Sequence, residues 1–196
     1  MRRQLVTGLM MTLTMIVLVG LAYPLAMTGI AQGLMKDKAN GSFVKQNGKV
    51  VGSSLIGQNF VLKNGDPDLK YFKPRPSAAG TGYDAMSSGG SNDGPSSATL
   101  LKNVSDRVAA YRTLNGLAAT VKVPIDAVTA SASGLDPDIS VANARLQVAR
   151  VAKARNLSAS KVLALVNAHV DNRQLGILGE KTVNVLDLNL ALDRMN

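Results

Sequence analysis

Between Arg3 and Lys36 the chain carries no charged residue, and from Leu5 to Met35 nearly every position is apolar or small. A helix covers a hydrocarbon core of roughly 30 Å with about 20 apolar residues, so the pattern predicts a single transmembrane helix, with its N-terminal tail, over residues 1–35. A cleaved signal peptide also opens with a basic tip and an apolar run. Its apolar region spans about 15 residues and ends at a small-residue site, whereas this run is roughly twice that length and closes on no clean A-x-A. A lipid-modified anchor is excluded because the chain has no Cys. Within the run, Gly8 and Thr12 share one helical face, and Thr7 and Thr14 add small polar positions. In lipid, small residues and hydroxyls mark the side that meets another helix, so Gly8 and Thr12 are candidate contacts with a partner subunit. Pro24 is expected to kink the helix or to end its membrane part.

Residues 36–196 read as one exported soluble α+β domain. From 36 to 98 the pattern breaks into Gly, Ser, Asn, Asp and Pro with short β-prone pieces at Lys49–Ser54 and Phe60–Leu62, which predicts short strands and long loops. Ser87–Pro95 (SSGGSNDGP) has the composition of a flexible linker and equally that of an ordered loop with positive-φ positions. From 99 to 196 the periodicity turns helical. Leu101, Val104, Val108 and Tyr111 form one face of a helix from about Thr99 to Leu114, with Gly116 placed to end it. A second helix starts at Ser140, a suitable N-cap, and carries Ala144, Val148 and Val151 to about Arg155. A third follows Ser158 and turns Val162, Leu163 and Val166 inward before His169. The segment 183–192 is ambiguous: Leu186, Leu188, Leu190 and Leu192 alternate as in a strand, while Asn184 and Asp187 look like a helix cap and a first-turn acid. Helix is the expectation there.

Charge sets the topology. Arg2, Arg3 and the amine form a basic tail with no acid near it, which is expected to stay in the cytoplasm, with the domain beyond Lys36 on the outer side of the cell (inner) membrane. The net charge of +9 arises from 22 Lys and Arg against 13 acids. Few scattered aromatics and an exported location argue against nucleic acid, and a solvated or lipid-facing basic surface is the better reading.

Catalytic machinery is sparse, with one His, one Glu and no Cys. A His and Cys metal site is impossible, and His169 lacks any G-x-S-x-G nucleophile elbow, so it reads as a helix-end histidine. No G-x-x-x-x-G-K-[ST] loop supports autonomous ATP binding. Asp136 and Asp138 flank Pro137 and offer carboxylates to a cation or, as expected here, to turn and cap duty. Arg75, bracketed by Pro74 and Pro76, is held extended and is expected to make a charge-assisted contact, within the domain or to a partner. With it, Ser88, Gly89, Gly90, Ser91 and Asn92 are candidate interface residues. The residues thus point to a non-catalytic member of a complex; the alternative is a solitary membrane-anchored enzyme or binding module.

Six ordered segments, SSLIGQNF (53–60), YFKPRPSA (71–78), SSGGSNDGP (87–95), VTASASGLDPDIS (128–140), QVARVAKARNL (147–157) and VNVLDLNLALD (183–193), closely resemble the C subunit of bacterial high-affinity potassium-transporting P-type ATPases, the KdpC family. The resemblance implies an accessory subunit beside a channel-like potassium-binding subunit, a P-type ATPase subunit and a small single-span peptide, with potassium handled by the partners. It also implies a family proposal that the subunit acts as a catalytic chaperone raising the motor subunit's ATP affinity, with Gln147 at the matching nucleotide-associated position. Read from the sequence alone, Gln147 is an interface or cap residue. Ala132, Asp138 and Lys181 depart from the usual Gly, His and Pro of the family, and Ala132 implies that no positive φ is needed there.

Overall fold

The computed structural model describes residues 1–195, which divide into two compact units, Met1–Phe43 and the remainder from Val44. In the first unit one continuous apolar helix runs over Arg2–Leu34, 33 residues with no side chain buried. At about 1.5 Å per residue it is some 50 Å long, more than a bilayer core requires. It is α-helical over Arg2–Met15 (α1), π-helical over Ile16–Ala22, and α-helical again over Tyr23–Leu34 (α2). Pro24 therefore does not end the helix. A proline cannot donate to the carbonyl four residues back, here that of Gly20, and the wider π turn just ahead of it re-spaces the ladder, with the Tyr23 N–H donating to the Leu18 carbonyl. The hydroxyls of Thr7, Thr12 and Thr14 each donate to the carbonyl four residues back. A one-turn helix Lys36–Ala39 (α3) follows, and the amides of Gln32 and Asn40 pair reciprocally at 3.0 and 3.1 Å.

Strands β1 (Phe43–Gln46) and β2 (Lys49–Ser53) form a hairpin across Asn47 and Gly48, both at positive φ as such a two-residue turn requires. The expected strand at Phe60–Leu62 is absent; only an isolated bridge joins Val61 to Pro67. The α+β body consists of helices α4 (Ala98–Asn115), α5 (Val141–Arg155), α6 (Ala159–Ala168) and α7 (Val185–Asp193), with a three-stranded antiparallel sheet β3 (Asp138–Ser140), β5 (Thr182–Asn184), β4 (Val170–Asp171) in that spatial order.

The helix starts follow the sequence. The hydroxyls of Ser97, Ser140 and Ser158 and the amide oxygen of Asn184 accept the N–H three residues on. Gly116 at φ 63 ends α4, and Asn156 at φ 55 ends α5. The main core joins α5, α6, α7 and the sheet through Ile139, Ala144, Val148, Val151, Val162, Val166, Val183, Leu188 and Leu192, with Phe72 fully buried among them. A smaller cluster of Tyr111, Ala127 and Val128 seats α4.

Two positions depart from the expected faces. Leu101 is exposed on the outer side of α4, and Leu163 faces solvent on α6, leaving Val162 and Val166 to pack inward. In the 183–192 segment both signals are present: Val183 lies in β5, and the helix starts at Val185. Leu186, Leu188, Leu190 and Leu192 are all buried because the covered arc of α7 is wide, leaving only the face of Asp187 and Ala191 partly open, so their alternation reflects that wide burial and not a strand.

Candidate functional site

The recognisable sequence segments converge on one assembly, a strap from Leu69 to Pro76, a turn at Leu69 and Lys70 followed by open chain, laid across α5 and α7. Open chain needs partners for its backbone groups, and here amide side chains supply them. Asn189 of α7 accepts from the Phe72 N–H at 2.9 Å and donates to the Phe72 carbonyl at 3.0 Å. Gln147 of α5 does the same for Lys73, at 2.7 and 3.1 Å. Each side chain thus mimics the two-bond pairing of a neighbouring strand.

Gln147 is 1% exposed. Besides the Lys73 backbone, its oxygen accepts from Arg150 Nη2 at 2.7 Å, and its nitrogen donates to Asn143 Oδ1 at 2.9 Å. Both amide hydrogens and both oxygen lone pairs are occupied by the protein. Gln147 is therefore neither a cap, a role that Ser140 fills, nor an exposed interface residue. Sequence reading placed it on an amphipathic helix but had no means of knowing that its partner lies 74 residues away.

Arg150, not singled out from the sequence, is 7% exposed and pairs with no carboxylate among the described residues. Its guanidinium donates to Asn115 Oδ1, to the carbonyls of Leu69 and Tyr71, and to Gln147. Burial holds it down at about 10. The signal was present, since Arg150 lies three residues after Gln147 beside buried Val151, where a solvated arginine has no place. Arg155 holds the same end of the strap, donating to the Lys70 carbonyl at 2.7 Å and to Asp193 at 2.6 Å while lying over the Tyr71 ring at 4.7 Å.

Beyond the strap the loops lock together. Arg75 Nη1 pairs with Asp136 Oδ2 at 2.8 Å, within the domain, and the other oxygen of Asp136 accepts the Asp138 N–H. Asp136 therefore does turn duty. The Tyr83 hydroxyl donates to the carbonyls of Arg75 and Asp136, and burial followed by the Asp136 charge pushes its pKa up. The 87–92 loop is seated: Ser88 Oγ and the Gly89 N–H both donate to the Ser133 carbonyl. Gly134 needs to be glycine, since its φ is 67° and a Cβ there would stand 2.7 Å from the Ala79 nitrogen and 2.8 Å from the Gly89 oxygen. Gly90 approaches the Ala132 carbonyl almost as closely, and Ala132 itself has no positive φ. Ser91 and Asn92 stand exposed, Asn92 at φ 53. Asp138 sits half-buried on β3, its pKa raised by burial and then by Asp136, Asp171 and Asp187.

Between the strap and α4 lies a groove of about 650 Å³ lined by Lys73, Arg75, Tyr83, Arg107, Tyr111 and Leu114 among others. Burial and the neighbouring Arg150 push Lys73 down to about 8, and its ammonium donates to the Phe60 carbonyl. No cluster of three or more His, Cys, Asp or Glu that would hold a metal occurs among the described residues. His169 caps α6, with Nδ1 2.9 Å from the Leu165 carbonyl. Gly8 and Thr12 lie together on α1, where Thr12 Oγ1 bonds the Gly8 carbonyl and a Cβ at Gly8 would meet nothing.

Fold and site together define a class: an α+β domain following one long apolar helix, with its buried polar groups spent on holding loops in place. The family described as KdpC, the c chain of K+-transporting ATPase, matches residues 5–194. The "Potassium-transporting ATPase KdpC subunit" of Mycobacterium tuberculosis (strain ATCC 25618 / H37Rv) is 54% identical over 195 residues, covering 100% of both chains. Relatives of the same name from Gemmatimonas aurantiaca and Koribacter versatilis are 51% and 48% identical, covering 100% and 98% of this chain and 95% of each relative. The chain belongs to the KdpC family, a component of a transporting ATPase and not an enzyme by itself.

Proposed function

We propose that this chain is the accessory subunit of an ATP-driven high-affinity potassium uptake complex, anchored by its helix in the cell membrane with the N-terminus in the cytoplasm and the domain outside. One observation carries the reading: the end-to-end match to proteins named as potassium-transporting ATPase subunits. An apolar helix of 33 residues with nothing buried supports it, because small residues and hydroxyls on such a helix suit contact with another helix in lipid. The partners are a channel-like potassium-binding subunit, on whose outer mouth the domain docks, a P-type ATPase subunit and a small single-span peptide. Gly8 and Thr12 face a partner helix, and the exposed Ser91 and Asn92 present the seated loop to a partner.

In this reading the subunit raises the motor subunit's affinity for ATP from a distance. Gln147 has every hydrogen-bonding position occupied within the domain, which supports an indirect route over direct contact with nucleotide. The effect is then a coupling free energy carried through the membrane helices or the partner subunits. The test is a gentle-detergent pull-down of the full chain from its native membranes with mass spectrometry of what co-purifies. Recovery of a P-type ATPase and a multi-span potassium-binding protein in fixed ratio is the expected result; recovery of the chain alone, under conditions that preserve other membrane complexes, would favour a solitary anchored module.

A further inference from the structure

Between β4 and β5 the chain makes an exposed hairpin that the core does not use. Two backbone bonds of 2.9 Å between Gln174 and Leu178 close it, and a two-pronged pair of Arg173 with Glu180, at 2.9 and 2.8 Å, fastens its base. At its tip Leu175, Ile177 and Leu178 are 89%, 77% and 56% exposed. Leu175 also holds φ at 54°, in the left-handed region that strains a residue with a Cβ. Backbone strain and apolar exposure thus fall on the same residue. Such a coincidence marks a contact made outside the chain.

The hairpin's surroundings favour one class of surface. One flank opens on a cavity of about 770 Å³ whose lining includes Arg145, Arg173, Glu180 and Lys181. Glu180 is engaged by Arg173, and among the described residues Arg145, bonded to the neutral Asn167, and Lys181 meet no carboxylate there. A second cavity, which shares Asn172 and Glu180 with the first, is lined by Asp138 and Asp171, so the cations and the carboxylates beside the hairpin are segregated. A narrow apolar tip beside such cations matches a surface that is anionic above and apolar below, which a bilayer presents at every point. Three apolar side chains alone would bind membrane weakly, but a domain covalently joined to a membrane helix meets the surface at high effective concentration.

We propose that the 172–181 hairpin is a lipid-contacting finger: Leu175, Ile177 and Leu178 enter the interfacial layer, and Arg145 and Lys181 receive the phosphates of anionic headgroups. This rests on the membrane-anchored reading of the N-terminal helix. The chain contains no Trp, so Leu175→Trp or Ile177→Trp provides a single indole reporter in the full-length protein. Each variant is reconstituted into vesicles of phosphatidylcholine and phosphatidylglycerol in equal parts, and quenching by acyl-brominated lipid is compared with quenching by aqueous iodide. Met86→Trp, at a residue 94% exposed on another loop, is the control.

The expected result is loss of most of the emission to brominated lipid, a blue-shifted maximum and protection from iodide for both tip variants, with the Met86→Trp protein open to iodide. Weakening of the lipid quenching in pure phosphatidylcholine or in Arg145→Gln and Lys181→Gln backgrounds supports the headgroup role. Tip variants open to iodide and untouched by brominated lipid would overturn the inference. So would protection from both quenchers only when partner subunits are present, which assigns the hairpin to a protein surface. Failure of the full chain to float with the vesicles would remove the anchor reading and this inference together, whereas flotation without lipid quenching removes this one alone.

Discussion

At the scale of single residues, the domain depends on polar side chains that stand in for backbone. Gln147 is the central case, because truncation orphans the Lys73 N–H and carbonyl and Arg150 Nη2 together, and leaves Asn143 Oδ1 with only the Tyr111 hydroxyl. Leaving buried polar groups without partners is among the few routes to a large loss, so Gln147→Ala should destabilise the domain by about 3 kcal/mol in chemical denaturation. If Gln147 instead contacted nucleotide, the variant would keep its stability and alter only the complex's ATP dependence. Asp138 runs the other way. Burial and three neighbouring carboxylates raise its pKa, so the folded domain favours the protonated form and loses that stabilisation as pH rises through the raised value. Asp138→Asn should therefore raise the melting temperature at neutral pH and leave it nearly unchanged in acid, measured by calorimetry at both. Caps and turn glycines were legible in the sequence because their chemistry is local: Ser140, Ser158 and Gly116 need only their own neighbours. The Gln147 network was not, since Asn115, Arg150 and the strap are brought together only by the fold.

At the scale of elements, periodicity identified α4, α5 and α6 but not how deeply each is buried. Leu101 and Leu163 sit at spacings that fit an apolar stripe, yet α4 rests on a small cluster and α6 presents a narrow face, so both side chains fall outside the covered arc. In α7 the opposite holds: a covered arc that leaves only the face of Asp187 and Ala191 partly open blurs the periodicity, and the Leu alternation mimics a strand. The loop at 87–92 was undecidable from composition, because Gly, Ser and Asn serve linkers and ordered turns alike; contacts with Ser133 and Gly134 decide it. That assembly is testable through Gly134→Ala, whose Cβ would press on the backbone of the 77–79 turn and of the 87–92 loop at a strained φ. The variant should lower the melting temperature markedly and expose the 77–92 segment to limited proteolysis, while Gly89→Ala, where a Cβ meets nothing, should not. In the membrane helix the Pro24 effect was legible only in kind: a π turn absorbs the missing donor, and the helix continues. Gly8→Leu meets open space within its own chain, so it should leave the purified chain's thermal stability unchanged and reduce its recovery with partner subunits.

At the scale of the whole molecule, buried cations set the pH response. Lys73 and Arg150 have folded pKa values of about 8 and about 10, below their ordinary 10.5 and 12.5, chiefly because burial disfavours the charge. As pH rises through 8 the folded protein gives up the Lys73 proton while the unfolded chain keeps it until 10.5. The unfolded state then binds more protons, so stability increases across that window. Tyr83 and Tyr111 act in the contrary sense at higher pH, since burial raises both above 10 and the unfolded chain ionises first, which lowers stability from about pH 10 upward. The resulting profile climbs from pH 8 and turns over above 10, unlike the neutral optimum common among proteins whose pH response is set by paired carboxylates. Lys73→Met keeps the stem that packs beside the strap and removes the titrating group. It should be more stable than the parent at pH 7, and its stability should stay level between pH 8 and 9.5, where the parent's rises; denaturant midpoints taken across that range give the answer. A parent profile that is flat over the same interval would mean that the Lys73 ammonium is solvated and that the groove between strap and α4 is open to bulk water.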